Sequence, residues 1–387
     1  MTKEIVVLLT QPIENNTSSM IRCKGIIDAL AELGNKLTCI CPDNRDTYFI
    51  TDAYKVIRYG KAKKENVLKN GNASKGAKQK IVSFLYKAFK KMDVFGYSLV
   101  YLKYTKNIKK IVRELEADIL ITFSDPMTAH MIGKYCKKYV KEQYIQQWGD
   151  PLALDTIAKI AQPRWFRKII EKNLIKKADR ICYVSPFTLR EQKSFYKRYA
   201  DRMIFLPTPC VKYKNSVRNA NSKIKLGYFG SYNLLARDLR NLYNAVKECD
   251  WCELYLVGDS DLELNPCTNI FLEKRVKQEQ IEKYVDEVDI LVCVMNSKGN
   301  QIPGKFYHYA GSYKEVLVIQ DGEYGEEIRE FFAQYNRYTF TVNSVEAIVE
   351  TLVMYRNQGI TERKPLADFD AKVIAQKLID NGISKGM

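Results

Sequence analysis

The sequence predicts an α/β protein made of two Rossmann-like domains, and three observations lead to this fold class. Short, continuous apolar runs alternate with amphipathic helical segments in both halves of the chain, which is the pattern of parallel strands joined by helices. A polar segment near the middle separates the two halves. The length of 387 residues gives each half enough chain for a core of its own.

The elements follow one another as βα units. A strand at residues 5–10, a helix at 20–33 closed by Gly34, and a strand at 37–41 open the first half. Further strand-like runs of this half lie at residues 117–122, 144–147 and 178–185. In the second half we predict strands at 224–229, 254–257, 270–272, 289–295 and 316–319, and helices at 238–246, 281–285, 346–355 and 371–378.

The domain boundary is placed where the chain becomes rich in proline and polar residues. Leu206-Pro207-Thr208-Pro209 and the polar run up to Lys223 are typical of a linker. We therefore predict an N-terminal domain at residues 1–207, a linker at 208–223, a C-terminal domain at 224–365 and a closing helix at 366–387. Residues 55–113 are predicted to be a basic insertion in the first domain.

The net charge of +17 is concentrated in that insertion, which has 17 Lys and Arg residues and 2 acidic ones. The segment from Lys78 to Lys91, KQKIVSFLYKAFKK, mixes cations with apolar residues at near-helical spacing, as helices on anionic membrane surfaces do. Two alternatives are a helix that packs its apolar side on its own domain and a nucleic-acid contact. No recognition-helix or RNP-type motif is present, so no nucleic acid is expected.

Cysteine and histidine usage argues against disulfides and metal sites. Several of the 10 cysteines lie inside apolar runs, which suits reduced core thiols. The chain has 2 histidines, too few for a His-based metal site. No apolar run is long enough to cross a bilayer, and the N-terminus has no signal-peptide pattern, so we expect a cytoplasmic protein.

Residues 301–322, QIPGKFYHYAGSYKEVLVIQDG, contain the strongest candidate for an anion site. Pro303 and Gly304 form a loop before a short helix, and glycine permits close backbone approach to a ligand. Lys305 in the first turn adds a cation, so the stretch suits a diphosphate, and His308 lies one turn later. The alternative is an ordinary αβ unit with a solvated lysine and a packed histidine. A second phosphate-type turn at Gly230 favours the first interpretation.

In the first half, polar residues follow predicted strands at their carboxyl ends, where ligands of α/β sheets gather. Asn16 and Ser18 follow the first strand and could face a sugar or a lipid phosphate, although this loop also suits a helix N-cap. Asp125 follows the strand at 117–122. Asp150 follows the strand at 144–147 and is our candidate for an acceptor-side carboxylate or general base; an Asp before Pro is also a common turn former.

Several segments, taken in this order, resemble the GT-B fold glycosyltransferases, and within them the family 4-like enzymes that use nucleotide sugars. The segments are ADRICYVSPF from 178, GYFGSYNLLARDLRNLYNAV from 227, LYLVGDS from 254, VDILVCVM from 288 and IPGKFYHYAGSYKEVLVI from 302. The resemblance extends over nearly the whole chain. It implies two Rossmann-like domains that face each other across a cleft, with the nucleotide sugar on the C-terminal domain and the acceptor on the N-terminal one.

The resemblance also implies roles for single residues. Gly230 and Ser231 match the turn whose amides meet the donor diphosphate, with Tyr232 beside them, while Gly258, Arg275 and Val276 match the nucleotide-base region. Arg237 and Lys305 match the phosphate-binding cations, and such cations stabilise a leaving diphosphate without a metal. His308 and Tyr309 stand where the family commonly has a ribose-binding Glu. Asp259-Ser260-Asp261 is interpreted as turn chemistry rather than as a metal site.

From these residues we predict a glycosyltransferase without cofactor or metal. The donor is expected to be a nucleotide sugar, with UDP-sugar favoured, and the acceptor a lipid-linked or oligosaccharide glycan of a bacterial surface polysaccharide. The resemblance favours retention of configuration, and residues 78–91 suggest peripheral binding to the inner face of the plasma membrane. The alternative is a non-catalytic nucleotide- or nucleic-acid-binding protein on the same fold. A two-domain sugar epimerase is a third possibility and would need paired carboxylates.

Overall fold

A computed structural model describes residues 2–15, 17–43, 51–61, 98–124, 126–155, 162–213, 223–234 and 236–380. The chain divides into two compact units. Unit 1 comprises Met1–Leu206 and Ala375–Met387, and unit 2 comprises Pro207–Ile374. The described start of the predicted linker belongs to unit 2, because the Cys210 amide donates to the Phe369 carbonyl at 2.8 Å and the Val211 amide to the His308 carbonyl at 3.1 Å.

Unit 1 is built on a parallel sheet. Its strands are β1 (Glu4–Leu8), β2 (Lys36–Asp43), β3 (Lys55–Lys61), β4 (Ile119–Phe123), β5 (Gln143–Trp148), β6 (Arg180–Tyr183) and β7 (Met203–Phe205). Their order across the described sheet is β3-β2-β1-β4-β5-β6-β7, and each neighbouring pair is parallel. The apolar runs that predicted strands are central and buried, as expected for parallel strands covered on both faces.

The helices of unit 1 connect these strands. They are α1 (Ser18–Glu32), α2 (Thr105–Leu115), α3 (Thr128–Cys136), α4 (Arg164–Ile175) and α5 (Pro186–Phe195), with short 3₁₀ turns at Ser98–Tyr104, Lys137–Tyr139 and Lys197–Arg202. Local chemistry fixes their starts: the Thr17 hydroxyl accepts from the Met20 amide at 3.2 Å, and the Ser185 hydroxyl accepts from the Thr188 amide at 3.3 Å.

The basic segment at residues 55–113 is not an insertion at its two ends, which corrects our expectation there. Its first residues form β3, which pairs with β2 at the edge of the described sheet, and its last residues form α2, whose Ile108 and Val112 are buried in the unit 1 core. We did not identify β3 and α2 from the sequence because both contain many basic residues. Edge strands and surface helices tolerate such charges on their solvent-exposed faces. Residues 62–97, which include the predicted membrane segment 78–91, lie outside the described residues.

Unit 2 contains a second parallel sheet. Its strands are β8 (Ile224–Phe229), β9 (Cys252–Val257), β10 (Ile270–Glu273), β11 (Ile290–Val294), β12 (Glu315–Gln320) and β13 (Thr339–Val342), in the described order β10-β9-β8-β11-β12-β13. Its helices are α6 (Arg240–Lys247), α7 (Gln278–Glu287), α8 (Gly304–Tyr309), α9 (Gly325–Ala333) and α10 (Val345–Gln358), with a 3₁₀ turn at Ala367–Phe369. Both units are therefore Rossmann-like, as the sequence predicts.

The last helix, α11 (Ala371–Ile379), begins in unit 2 and ends in unit 1. The Arg180 guanidinium on β6 donates to the carbonyls of Lys377, at 3.1 Å, and Leu378, at 2.8 Å. These are C-terminal helix carbonyls that lack intrahelical partners, so a cation there stabilises the helix end. Within the described ranges, no helix combines the length and the apolar character required to span a bilayer.

Candidate functional site

The candidate site lies at the carboxyl edge of the unit 2 sheet. β8 and β11 are neighbours in this sheet, but the chain continues from β8 to β9 on one side and from β11 to β12 on the other. Ligands of open α/β sheets bind at such a reversal of strand order. The loop after β8 carries Gly230 and Ser231, and the loop after β11 carries Asn296.

Two glycines allow the loops after β8 and β9 to touch. Gly230 has a φ of +132°, and a Cβ atom placed on Gly258 would lie 2.2 Å from the Gly230 carbonyl oxygen. The Gly230 amide donates to the Val257 carbonyl at 2.7 Å. A side chain at either glycine would separate the two loops, so this tight turn depends on both.

Lys305, in the first turn of α8, extends toward the same turn. Its Nζ lies 3.7 Å from the centroid of the Tyr228 ring, and a Cβ atom placed on Gly230 would be 2.6 Å from this Nζ. Although Lys305 as a residue is only half-buried, its Nζ is closed off from solvent and has no hydrogen-bond partner among the described residues. A buried ammonium without an acceptor is costly, and an anion at this position would compensate it.

The electrostatics of Lys305 also indicate that an anion would be stabilised at this position. Burial lowers the pKa of its ammonium well below the usual 10.5, and the positive charge of Arg237 lowers the pKa further. Arg275 adds to this effect, while the Cys293 thiol opposes it. Cationic side chains from separate loops therefore repel one another at this edge, and a bound polyanion would relieve that repulsion.

Arg237 is positioned by a tight turn and by an amide. Its backbone forms a pair of 3.0 Å hydrogen bonds with Asn233, and its Nε donates to Oδ1 of Asn296 at 3.1 Å. The Asn296 Nδ2 in turn donates to the Gln301 carbonyl at 2.9 Å. The guanidinium of Arg237 also bonds the Tyr228 hydroxyl, whose own proton goes to the Ser231 carbonyl at 3.0 Å. Tyr228 thus contacts both cations of the pair Arg237 and Lys305.

Arg275 follows β10 and completes the cluster. Its Nη2 donates to the Ser231 hydroxyl at 3.3 Å, and its Nε forms a 3.3 Å ion pair with Asp259. The Tyr232 amide donates to the Asp259 carbonyl at 3.1 Å, and the Tyr232 ring packs edge-on against Tyr228. Both Arg275 and Asp259 are exposed, so this ion pair is weak and can open for a competing anion.

The structure therefore brings together seven of the residues predicted from the sequence. They are Gly230, Ser231, Tyr232, Arg237, Gly258, Arg275 and Lys305. Gly304 immediately precedes Lys305 in α8, and Val276, which is half-buried, follows Arg275. The shared chemistry is backbone turns plus three cations, which suits a ligand with two or more negative charges.

His308 and Tyr309 lie deeper than the cluster. Both are buried, and the His308 carbonyl accepts from the Val211 amide while the Tyr309 ring approaches that of Tyr213, with centroids 6.5 Å apart. Burial raises the pKa of the Tyr309 hydroxyl well above 10.0, so this side chain stays protonated. The predicted ribose contact of His308 remains a prediction.

The Asp259-Ser260-Asp261 segment has the contacts of a turn. Asp261 Oδ1 accepts from the Leu234 amide at 3.2 Å, the Ser260 hydroxyl accepts from the Leu262 amide at 2.9 Å, and Asp259 pairs with Arg275. In the part of the chain that the structure describes, no three His, Cys, Asp or Glu side chains converge as a metal site would require.

Unit 1 holds the predicted acceptor-side residues. Ser18 is exposed at the first position of α1, directly after the Thr17 cap. Asn16 and Asp125 lie outside the described residues. Asp150 is half-buried and follows β5 at its carboxyl end, two residues after Trp148, so its position agrees with the general rule for ligand-binding edges.

The loop that carries Asp150 is anchored on both sides. The Gly149 amide donates to the Ser124 hydroxyl at 2.7 Å, and the amides of Leu152 and Ala153 both donate to the Glu171 carboxylate at 3.0 Å. Glu171 is fully buried in α4, and it also accepts from the Tyr196 hydroxyl at 2.8 Å. Burial raises the pKa of Glu171, while the hydrogen bonds from the amides of Leu152 and Ala153 and from the Tyr196 hydroxyl lower it.

Sequence reasoning missed the supporting residues Tyr228, Asn296 and Glu171. Tyr228 could have been identified from the sequence. It is an aromatic residue on the predicted strand, two positions before the Gly230 turn, and side chains two positions apart lie on the same face of a strand. Asn296 and Glu171 act on loops far away in the chain, at Arg237 and at residues 152–153, and such pairings have no local signature.

His130 in unit 1 is fully buried beside Thr122. Burial lowers the pKa of its imidazole to about 3, so this side chain stays neutral.

The comparisons with known proteins agree with this architecture. The chain is similar to sucrose-phosphate synthase from Thermosynechococcus elongatus, with a TM-score of 0.61, 12% sequence identity, and coverage of 98% of this chain and 95% of that one. It is similar to WaaG, a glycosyltransferase involved in lipopolysaccharide biosynthesis, with a TM-score of 0.58, 12% identity, and coverage of 97% and 100%.

A third solved structure is Anabaena HepE in complex with UDP-glucose, with a TM-score of 0.56, 10% identity, and coverage of 98% of this chain and 96% of that one. These similarities show the fold: the two Rossmann-like units are those of the GT-B architecture that the sequence motifs resemble. No protein-family model matches the chain, and no curated protein matches it either.

Proposed function

We propose that the protein is a glycosyltransferase whose unit 2 binds the nucleotide sugar. The observation that carries this proposal is Lys305, whose Nζ is buried against Tyr228 and Gly230, without a hydrogen-bond acceptor in the described residues, near the guanidinium of Arg237. A nucleotide diphosphate supplies the missing negative charge and several acceptor oxygens at once.

Two further observations support a nucleotide sugar as the source of that diphosphate. The site occupies the carboxyl edge of a Rossmann-like sheet at the strand-order reversal, which is a nucleotide-binding position. A protein of similar fold, Anabaena HepE, has been solved with UDP-glucose. We therefore favour a UDP-sugar donor and propose that no metal or other cofactor takes part.

The chemistry follows from where charge develops. When the bond from the sugar to the diphosphate breaks, negative charge grows on the phosphate oxygens. Arg237 and Lys305 are held in place before the reaction, Arg237 by Asn296 and Lys305 by the Tyr228 ring, so their charges are available without reorganisation. Asp150 on unit 1 is proposed as the acceptor-side carboxylate. Retention of configuration rests on the family 4-like motifs alone.

The acceptor and the location are the finer part of the proposal. We infer a lipid-linked or oligosaccharide acceptor in the synthesis of a bacterial surface polysaccharide, because the sequence segments resemble transferases of that kind and the fold is similar to that of WaaG, which is involved in lipopolysaccharide biosynthesis. A cytoplasmic enzyme bound to the inner face of the membrane fits the net charge of +17.

The binding test uses thermal shift and isothermal titration with UDP and with UDP-, GDP- and CMP-sugars. Wild-type protein should bind a UDP-sugar, and Lys305→Ala should weaken this binding by more than about tenfold, because one charge-assisted contact is lost. Lys247→Ala is the matched control. Lys247 is exposed at the end of α6, away from the carboxyl edge, and its loss should leave binding unchanged.

Turnover separates the enzyme from the non-catalytic alternative. Release of UDP from the preferred UDP-sugar, in the presence of bacterial membrane extract as a source of acceptor, should follow the same order of variants as binding. Tight nucleotide binding without any sugar released or transferred over the whole panel would favour a binding protein. Absence of binding to every sugar nucleotide would remove the proposal.

A further inference from the structure

Helix α4 of unit 1 presents large apolar side chains to solvent. Trp165 is 65% exposed, Ile169 is 58% exposed and Phe166 is 38% exposed, all within six residues of one helix. Trp165 and Ile169 are spaced four residues apart and therefore lie on the same outward side. A single exposed apolar residue is ordinary, but a helix that places a Trp and an Ile outward together indicates an interaction surface.

The same side of α4 carries positive charge and no exposed carboxylate. Lys172 and Lys176 continue the outward line of Trp165 and Ile169 toward the end of the helix, and both are exposed. No acidic side chain of the described residues forms an ion pair with either lysine. The acidic residue of the helix, Glu171, is buried on the opposite side, where it binds the amides of residues 152–153.

Further cationic and aromatic side chains lie next to this side of α4. Lys168 Nζ lies 4.0 Å from the centroid of the Phe195 ring, and Arg164 lies 5.2 Å from the same centroid. On α3, Lys134 bonds Asn173 of α4 at 2.9 Å and covers the ring of Tyr135, which is itself exposed. The α4 face, defined here as Trp165, Phe166, Ile169, Lys172 and Lys176, is thus bordered by further cations and an aromatic ring.

We propose that the α4 face docks unit 1 on an anionic phospholipid surface. Trp and Ile enter the headgroup boundary, while Lys172 and Lys176 remain at the level of the phosphates, where each cation gains from the negative surface potential. The charge complementarity is specific to this occupant: Ile169 offers nothing to a nucleic-acid base or phosphate, and a second copy of this chain would bring a net charge of +17 against the same cations. The proposal does not depend on the proposed transferase activity, and it involves residues other than segment 78–91.

The test is cosedimentation of the full-length protein with two kinds of vesicle. One kind is phosphatidylcholine alone, and the other contains phosphatidylglycerol as about a third of the lipid. Wild-type protein should bind the anionic vesicles, with binding that falls as salt rises. Trp165→Ser combined with Ile169→Ser should lower the partition coefficient by about tenfold or more, since both apolar anchors are lost. Lys172→Glu combined with Lys176→Glu should lower it by at least as much on anionic vesicles.

Two controls keep the outcome interpretable. Val342→Ser removes a side chain that is 61% exposed on unit 2 and should leave vesicle binding unchanged. All variants change exposed residues, so each should keep the wild-type melting temperature, and UDP binding on unit 2 should be unaffected. Brominated lipid should quench the emission of wild-type protein more than that of Trp165→Phe, because Trp148 is buried and Trp251 is half-buried on unit 2 and is not part of the α4 face.

Equal vesicle binding by wild-type protein and the Trp165 and Ile169 double variant would overturn the proposal, whether or not the protein binds membranes elsewhere. A change in self-association instead, with vesicle binding intact, would identify a second copy as the occupant and would overturn it too. Failure of the transferase test would leave this result untouched, since the vesicle assay contains no nucleotide.

Discussion

Lys305 is the residue on which the chemical argument depends. Its ammonium contacts the face of Tyr228, an interaction worth about 2 kcal/mol when desolvated, but this is less than the cost of removing a charge from water. The native protein therefore holds a destabilised cation at the position where the donor diphosphate is proposed to bind. Ionisable groups whose pKa is perturbed by burial and by a neighbouring charge cluster at functional sites.

Proton uptake on ligand binding is one consequence. Burial and Arg237 lower the pKa of free Lys305, and a bound diphosphate favours the charged form and raises the pKa again. Titration of UDP in buffers of different ionisation enthalpy, at a pH between the two pKa values, should therefore show proton uptake. Affinity should fall as pH rises above the lowered pKa. Lys305→Met should show less uptake, and an equal number of protons in both proteins would contradict the assignment.

Folding stability should respond to the same group with a defined sign. Native Lys305 binds its proton less tightly than the unfolded chain does, so the unfolded state holds more protons between the lowered pKa and 10.5. This group alone makes the free energy of unfolding rise with pH over that window. Chemical denaturation at several pH values, compared with Lys305→Met, isolates the contribution; a slope of opposite sign would contradict the lowered pKa.

Gly230 gives a test of the turn beside the lysine. Gly230→Ala adds a Cβ atom 2.6 Å from Lys305 Nζ at a φ of +132°, so we expect a loss of about 1–3 kcal/mol in the free energy of unfolding and weaker UDP binding. Gly359→Ala is the control, because Gly359 also has a positive φ, +80°, but no atom lies within 4 Å of its added Cβ. Equal UDP binding by both variants would show that the Gly230 turn does not shape the site.

At the scale of the elements, helix α4 contributes to two separate features of unit 1. Its outward side forms the α4 face, and its inner side brings Glu171 beneath the loop that carries Asp150. The strands were predictable because the apolar runs at β1, β4, β11 and β12 are continuous and buried. We did not predict β3, β7 and β13, which lie at the edges of the two described sheets. β3 is rich in basic residues, and β7 and β13 are short, so none has the long buried apolar run of a central strand.

Glu171 provides the prediction at this scale. Glu171→Gln replaces one acceptor oxygen by a donor that faces backbone amides, so we expect a loss of about 1–3 kcal/mol in unfolding free energy at neutral pH. The pKa of native Glu171 is raised above 4.5, so the native state holds more protons than the unfolded one, and this group makes stability fall as pH rises above 4.5. That component should disappear in Glu171→Gln; an unchanged pH profile would contradict it.

At the scale of the whole molecule, the two sheets explain how much of the site was predictable. Residues that follow strands at their carboxyl ends, such as Gly230 and Asp150, could be selected from the order of elements alone. The contacts of Lys305 with Tyr228 and of Arg237 with Asn296 could not, because they join loops that are distant in the chain. The cation cluster is consequently a property of the folded unit 2.

The most direct measurement of the central claim is a crystal structure of the protein with UDP. The account predicts diphosphate density beside the Gly230 turn, with a phosphate oxygen within hydrogen-bonding distance of Lys305 Nζ and another accepting from Arg237. A nucleotide bound elsewhere on unit 2, with Lys305 still packed on Tyr228 and no phosphate beside it, would contradict the account.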